Sequence, residues 1–599
     1  FMNRAEQKQQ SEIVRKQKGF LFSAAVVCFL VTGFFHTSAS AQIVPSPANQ
    51  ATDKVRIERL AGLAKVWGAV KYFHPFLPSE RIDWDKALIE AIPKVNAAQT
   101  AEEYAAAINS MLARLDDERY TRAVIRVKTN PPQPTNPAEA FRLTDGVLII
   151  DITAISEAAA ANPSATQAVF SRITAQLPQA KAIILDGRGK NKLNDETRRK
   201  FGGILDQLVP QISDKPITAG ALRYRTHRGY KPQSGGSSGG YQSVLVQTTP
   251  LVMAGQSETP MPPVVVLYND FTPPSEEVFG GLRLTGKVLL VREGAPSKPE
   301  IGGIASEIEL PGDVFASLRT AITLYPDGTT LNLLPDSVVT KSATEDAAMN
   351  EALKNISAGT FTRPQKKEAE TLPPAVDEKD APYAEMEFPA KEYRLLALFR
   401  YWNVINYFFP YKDLTGSDWN DILPKYIPKF EQNKDAFDYQ MTVREMAAEI
   451  YDSHGSVGNT RALFDKLGTF FPPVDVRYIE NQTVVYKVLD DKLPLKQGDV
   501  ILAIDGEDVA RRREFYARLF AASTPQSSMR NVHISLLRGQ KDAAAKFTVR
   551  GADGQVRTVE IQRTLASNDP VWSEVDKRST PVVAVLPSGA AYVDLDRLK

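Results

Sequence analysis

The chain has 599 residues, 72 Lys+Arg against 71 Asp+Glu, 43% hydrophobic residues and one cysteine. At roughly 100–200 residues per domain, that length predicts three to five domains. A net charge of +1 excludes an extended polyanion-binding surface, so nucleic acid is not an expected partner.

The N-terminus carries the one stretch apolar enough to concern a membrane. Lys8, Arg15, Lys16 and Lys18 precede an apolar run from Phe20 to Phe35, and Ala39-Ser40-Ala41 follows. A basic region, an apolar run and an A-x-A site predict a signal peptide over 1–41 and export to the periplasm or the exterior. An uncleaved anchor is the alternative, for which the run is short; after cleavage no stable membrane span is expected. Cys28 lies inside the run, and Val26-Val27 before it lacks the small residue of a lipoprotein signal. The mature part then carries a net charge of −2, no cysteine, and only His74, His227, His454 and His533. Disulfides, cysteine nucleophiles and thiolate metal sites are excluded, and no metal site or cofactor is expected.

Next comes an internal repeat with a constant offset of 335 residues. Leu60, Leu63, Trp67, Tyr72, Phe73 and Pro75 recur as Leu395, Leu398, Trp402, Tyr407, Phe408 and Pro410. Asp83-Trp84 recurs as Asp418-Trp419, Ile92-Pro93-Lys94 as Ile427-Pro428-Lys429, and Tyr104 and Met111 as Tyr439 and Met446. A period this long indicates duplicated domains, because solenoid repeats run about 20–50 residues. Leu60, Leu63, Trp67 and Val70 make the apolar stripe of an amphipathic helix. Pro75 and Pro410 end the two equivalent helices. A helical domain is therefore expected over 56–130 and again over 390–463, with the repeated aromatics as core.

Residues 143–340 change character. Val147-Leu148-Ile149-Ile150, Ala182-Ile183-Ile184-Leu185, Val264-Val265-Val266-Leu267 and Val288-Leu289-Leu290-Val291 read as buried strands. Helical patterns at 164–177 and 275–284 between them predict an α/β core over 140–342. A solvated linker is expected over 343–389, most clearly in its Lys-, Glu- and Pro-rich part from 363. Ser234 to Gly240 is a flexible Gly/Ser loop, since no Gly-Lys-Ser/Thr follows to make it a phosphate loop.

Residues 464–565 have no counterpart of similar length in the first copy. Leu495 to Gly506 reads L-x-x-G-D-V-I-L-x-I-D-G, an apolar strand ending in a tight Asp505-Gly506 turn. A helix at 511–521 and strands near 531–537 and 545–563 are expected to complete the module, which resembles a PDZ domain of bacterial protease type. Residues 580–599 echo the first strands of the α/β core: Tyr592-Val593-Asp594-Leu595 matches the style of Ile149-Ile150-Asp151-Ile152.

The W-x-x-V-x-Y-F-x-P run, Asp452-Ser453-His454-Gly455 and the PDZ-type signature together resemble the C-terminal processing peptidases, closest to their tricorn-like branch. That resemblance implies a multidomain α/β protein: a helical domain with a ClpP/crotonase-like core, then a second helical domain, a PDZ module and the start of a second core. It implies serine-type cleavage of peptide or unfolded protein substrates, with a substrate tail added as a strand to the PDZ module. A serine hydroxyl needs a neighbouring base, and the base needs a group that holds its orientation. By resemblance, His454 is the base and Ser453 its orienting partner. The bland alternative for His454 is a helix-end histidine packed on Tyr451.

The first copy departs from that pattern. Arg119 stands where the repeat places His454 and Glu118 where it places Ser453, and arginine stays protonated. The family's N-x-x-T-x-S-x-x-E stretch appears as Asn269 to Glu277 with Pro274 at the serine position. Ser275 is one place late, and Lys298 lies where Ser–Lys members keep their lysine, so a Ser275–Lys298 dyad is the weaker candidate. The loop Asp186-Gly187-Arg188-Gly189-Lys190 corresponds to the family's oxyanion segment. The expectation is a degenerate first core. The second nucleophile is expected roughly 120 residues beyond Asp594, which makes the sequence as given a cut-off, inactive chain. The rival is a non-catalytic peptide-binding scaffold acting through the PDZ module.

Overall fold

The computed structural model describes residues 47–78, 82–126, 139–190, 195–227, 243–272, 274, 276–295, 301–325, 328–331, 333–361, 380–415, 418–458, 460–575, 577–595 and 597–598. The expected signal peptide, the 234–240 loop, Ser275 and Lys298 lie outside them. Asp53–Lys599 form one compact unit. Among the described residues, no helix is long and apolar enough to cross a membrane.

Helix α1 (Pro47–Phe73) stops just short of Pro75, whose ring disfavours helical geometry in the residue before it. Its stripe of Leu60, Leu63, Trp67 and Val70 is at most 1% exposed. Helix α2 (Trp84–Ala97) starts at Asp83, whose carboxylate accepts from the Lys86 N–H. Helix α3 (Ala101–Leu112) starts with a capping box of Thr100 and Glu103. The Trp67 and Trp84 indoles each donate to the other residue's carbonyl, at 3.1 and 3.0 Å.

Strand β1 (Arg122–Ile125) leads into strand–helix alternation: β2 (Phe141–Thr144), β3 (Val147–Asp151), α4 (Ile152–Ala161), α5 (Pro163–Gln176), β4 (Ala182–Asp186) and α6 (Asp195–Ile212). Then follow β5 (Ala221–His227), β6 (Ser243–Gln247), β7 (Val264–Tyr268), α7 (Glu276–Arg283), β8 (Val288–Glu293), β9 (Gly303–Leu310), β10 (Val314–Leu324), β11 (Ser337–Val339) and α8 (Ala347–Ala358). One six-stranded sheet runs β11-β8-β7-β4-β3-β2, parallel except at its β2–β3 hairpin. Both faces are covered, as a parallel sheet requires. Leu148, Ile150 and Val264 pack with α4–α7, while Ile149, Ile184 and Val265 pack against Ala348 and Ala352 of α8. The expected linker 343–389 is thereby corrected: α8 belongs to the core, because two fully buried alanines let a helix lie close on the sheet. A second sheet, β1-β10-β5-β6 with β9 on β10, joins the core to the first helices.

Helices α9 (Lys391–Phe408), α10 (Ile422–Gln432), α11 (Ala436–Ala448) and α12 (Arg461–Leu467) form the second helical unit. The Trp402 and Trp419 indoles repeat the reciprocal bonds, at 2.8 and 3.1 Å. Both helical units share one apolar core, and α1 crosses α9 where a Cβ on Gly68 would lie 1.9 Å from Asn403 Oδ1.

The following module holds β12 (Val474–Ile479), β13 (Gln482–Val488), β14 (Val500–Ile504), α13 (Val509–Ala517), α14 (Pro525–Leu536), β15 (Ala544–Arg550) and β16 (Val556–Gln562), with the sheet order β12-β13-β14-β15-β16. The strand expected near 531–537 is instead the end of α14. Thr524 caps that helix, and Val532 and Leu536 sit a helical turn apart and fully buried. A final hairpin joins β17 (Val583–Val585) to β18 (Ala591–Val593).

A buried polar cluster ties the first helices to β10. Arg319, 2% exposed, donates from Nε and Nη2 to Asp117 at 2.7 to 3.1 Å, while Thr121 donates to Asp117 at 2.7 Å and His74 Nε2 lies 3.2 Å away. Burial lowers the His74 pKa, with Asp117 opposing it. Burial acts to raise Asp117, but hydrogen bonds from His74 and Arg319 hold it down to about 2. Removing one member of a buried pair strands the other charge, so Asp117→Asn is expected to cost about 3–5 kcal/mol in urea unfolding. The double change Asp117→Leu with Arg319→Met should cost less. His74, held below its unfolded pKa, withdraws stability as pH falls through about 6.5; Asp117 withdraws it as pH falls from about 4 toward 2. The urea midpoint should therefore drop in two stages on acidification, the second reduced in Asp117→Asn. A midpoint unchanged between neutral pH and about 5 would contradict a neutral His74.

Candidate functional site

The first core is closed where catalysis would need it open. Pro274, at the serine position, is buried. Three backbone N–H groups of the adjoining loop are consumed internally: Gly187 donates to Leu267 O at 2.9 Å, Arg188 to Asp186 Oδ1 at 3.1 Å, and Gly189 to Thr272 Oγ1 at 3.0 Å. Thr272 returns a hydrogen bond to Gly187 O. Oxyanion stabilisation needs donors aimed at a reacting oxygen, and these three are already spent. The Arg188 guanidinium pairs with Asp186 at 2.7 Å, Glu293 at 2.8 Å and Asp346 at 2.7 Å, and Asp346 is the N-cap of α8. Burial opposes the Arg188 charge, but the carboxylates hold its pKa above the ordinary value. Arg119 is exposed and lies over the Tyr120 ring at 5.2 Å.

The second unit presents its residues differently. Past α11, Tyr451 adopts φ 52°, which turns the chain sharply into Asp452-Ser453-His454. Asp452 Oδ1 accepts from the His454 N–H at 3.0 Å and lies 3.0 Å from His454 Nδ1. Those two bonds, the backbone one first, lower the Asp452 pKa. The His454 side chain is 96% exposed, so it is not a packed helix-end histidine. With Nδ1 on a carboxylate, Nε2 points outward, the arrangement a general base requires.

The hydroxyl of Ser453 turns away from His454. It accepts from the Ser523 N–H at 3.0 Å and sits 2.9 Å from Ser527 Oγ, while the Ser453 N–H donates to Ser523 Oγ at 3.0 Å. Orientation of the histidine thus falls to Asp452, a residue whose Asp-x-His spacing was the available sequence signal. Ser453 instead latches the histidine turn to the start of α14. Beside the latch lies a cleft of about 500 Å³ lined by Tyr426, Tyr451, Phe520 and Ser523.

A second concavity, of about 640 Å³, runs between β12 and α14. Val476, Arg477 and Tyr478 line it from the strand; Met529, Arg530 and His533 line it from the helix. β12 is the edge of its sheet, and a strand edge is a template for a further strand. His533 Nε2 is buried without a hydrogen-bond partner among the described residues, and burial pushes the imidazole pKa down to about 4. Nothing in the sequence pointed to this groove beyond the module itself, because its walls come from segments that are distant in sequence. No cluster of His, Cys, Asp and Glu able to hold a metal occurs among the described residues.

No family model matches the chain, and no curated protein matches it. Among solved structures, a lipoprotein from Streptococcus agalactiae aligns at 13% identity and TM-score 0.30, covering 50% of this chain and 96% of that one. A photosystem II D1 C-terminal processing protease aligns at 15% identity and TM-score 0.28, over 47% of this chain and 93% of that one. Mature CPAF aligns at 13% identity and TM-score 0.24, over 32% and 38%.

The closed loop yields a prediction. Placing a hydroxyl there with Pro274→Ser should give no labelling at residue 274 by a serine-directed fluorophosphonate, because the three loop N–H groups are already bonded and Arg119 cannot act as a base. Labelling there, located by peptide mapping, would show that the first core needs only its nucleophile.

Proposed function

We propose that this chain belongs to an exported serine-type peptidase related to the C-terminal processing peptidases, and that it captures extended peptide or unfolded protein by adding it as a strand to β12 in a PDZ-type groove. The observation that carries the reading is the edge strand β12 facing α14 across an open groove, the geometry used when main-chain bonds give affinity and flanking pockets give choice. Two duplicated units underlie it, the first a non-catalytic scaffold, since its loop donors are spent and Arg119 cannot act as a base.

In this reading His454 is the general base. Asp452 keeps the Nδ1 side of the imidazole engaged, and Nε2 is left to take the proton of an attacking serine and return it to the departing amine. Ser453 serves as the latch that fixes the turn. The weaker assignment, a Ser275–Lys298 dyad, places the chemistry in the first core.

Hydrogen exchange tests the capture step. Adding β-casein, an unstructured protein, should raise protection of the amides in 474–479; unchanged exchange there would sink strand addition. Fluorophosphonate labelling of the full-length protein tests the chemistry, with loss expected in His454→Ala. Labelling that survives that change and disappears in Ser275→Ala would move catalysis to the first core. The closed first core also favours a second reading, a non-catalytic peptide-binding scaffold, and protection of β12 without any labelling would select it.

A further inference from the structure

The cleft beside the Ser453 latch has a counterpart surface in the first helical unit, and the repeat shows what the second unit adds. In the first unit Arg114 donates to Glu90 at 2.8 Å and Lys94 to Ser110 at 3.0 Å, both on the exposed surface. The equivalent residues in the second unit are Glu449, Lys425, Lys429 and Glu445. The first pair therefore returns with its charges exchanged, and the second gains a carboxylate. Over them the module sets Arg518, Phe520 and Ser523, which close a cavity of about 500 Å³. Small-molecule sites occupy roughly 300–1,000 Å³. Two features exceed what bridging a pair of helices requires. Lys429, at 2.9 Å, and Arg518, at 3.3 Å, share the single Glu445 carboxylate, which leaves one positive charge in excess there among the described residues. Those cations are 43% and 55% exposed and Glu445 only 17%, so the cations face the solvent. Tyr451 stands in the place of Asp116, and both hold left-handed backbone, at φ 52° and 47°. An aspartate tolerates that conformation, whereas a bulky tyrosine is held in it at a cost. Tyr451 is 57% exposed, lines the cleft and immediately precedes Asp452.

We propose that this cleft binds a carboxylate carried on an aromatic body, the carboxylate held by Arg518 and Lys429 and the ring seated on Tyr451 and Phe520. One excess positive charge matches a monoanion, and a guanidinium fork fits the plane of a carboxylate. Tyr451 and Phe520 supply the aromatic contact, because the Tyr426 ring is already covered by Lys425 and Lys429 at 5.4 and 4.8 Å. Such a ligand ties Lys429 of α10 to Arg518 of the module, beside the latch. The cavity is separate from the β12–α14 groove, and the inference does not rest on peptide capture there. The carboxylate belongs either to a free small acid or to an acidic side chain next to an aromatic one in a peptide.

Saturation-transfer NMR with the full chain tests it, using 3-phenylpropionate, the neutral 3-phenylpropanamide and propionate. 3-Phenylpropionate should bind about ten-fold more tightly than either of the others, the scale of one charged hydrogen bond or one apolar contact. Arg518→Gln should erase the preference for acid over amide, and Lys429→Gln should weaken it. Tyr451→Ala should erase the preference for the ring, while Tyr451→Phe retains it. Trp572→Ala, which alters the β12–α14 groove, should change neither preference. In the wild type, hydrogen exchange should show 3-phenylpropionate raising protection of the amides in 449–452 and 518–524, a readout that needs no variant to fold. Preferences that persist in Arg518→Gln and Tyr451→Ala, or that vanish in Trp572→Ala, overturn the proposal, as does a wild type that binds the amide equally well or shows no protection. An amidated Gly-Ser-Phe-Asp-Ser-Gly peptide that displaces 3-phenylpropionate assigns the carboxylate to a peptide side chain; failure to displace it assigns the carboxylate to a free acid.

Discussion

The crossing of α1 and α9 is the contact on which the arrangement depends. Gly68 and Asn403 occupy equivalent places in the 335-residue repeat, and they meet each other. Asn403 Nδ2 donates to the carbonyls of Ala64 and Phe399 at 2.9 Å, two residues that are again equivalent. A side chain at both places cannot fit, so one helix supplies the gap and the other the group that fills it. Around this point the two tryptophan pairs stand in one apolar core, and each buried indole satisfies its N–H on a carbonyl. Arg59 and Arg394 repeat the same device at the rim, each donating to carbonyls near the end of the following helix.

From that shared core the two units diverge through the fate of one carboxylate. Asp117 and Asp452 are equivalent in the repeat. Asp117 is enclosed and neutralised by Arg319 from β10, with His74 and Thr121 completing its partners. Asp452 is half-buried and its partner is the exposed His454. A carboxylate locked to a buried arginine stabilises a fold; one engaged with an exposed imidazole can orient a base. The same contrast runs through the loop at Gly187–Gly189, where the Gly187 N–H bonds to Leu267 of β7, the Arg188 N–H to Asp186 and the Gly189 N–H to Thr272.

Much of this was legible in the sequence. The amphipathic stripe of α1, the proline stops and the buried strands β3, β4, β7 and β8 follow from side-chain periodicity, which depends on local geometry alone. The misread segments were those where local pattern underdetermines structure. Val532-His533-Ile534-Ser535-Leu536 alternates like a strand, yet the Thr524 cap and the packing of Val532 and Leu536 make it helical. The α8 segment has a composition close to its linker surroundings, and only a sheet face awaiting cover makes Ala348 and Ala352 core. Tertiary context outweighs weak propensity in both.

The sequence alone determined the 335-residue repeat, the strand–helix alternation, the absence of cysteine from residues past 41, and the presence of Arg119 and Pro274 in the first unit, since each is a matter of residue identity or spacing. Only the tertiary structure decided that Ser453 latches to Ser523 and Ser527, that Asp452 meets His454, and that Trp572 walls a groove opened by β12 and α14. The residues brought together stand far apart in sequence: Val476 and Trp572, which line the same groove, are separated by 96 positions. Their proximity is set by chain path and packing, on which side-chain identity at each position is silent.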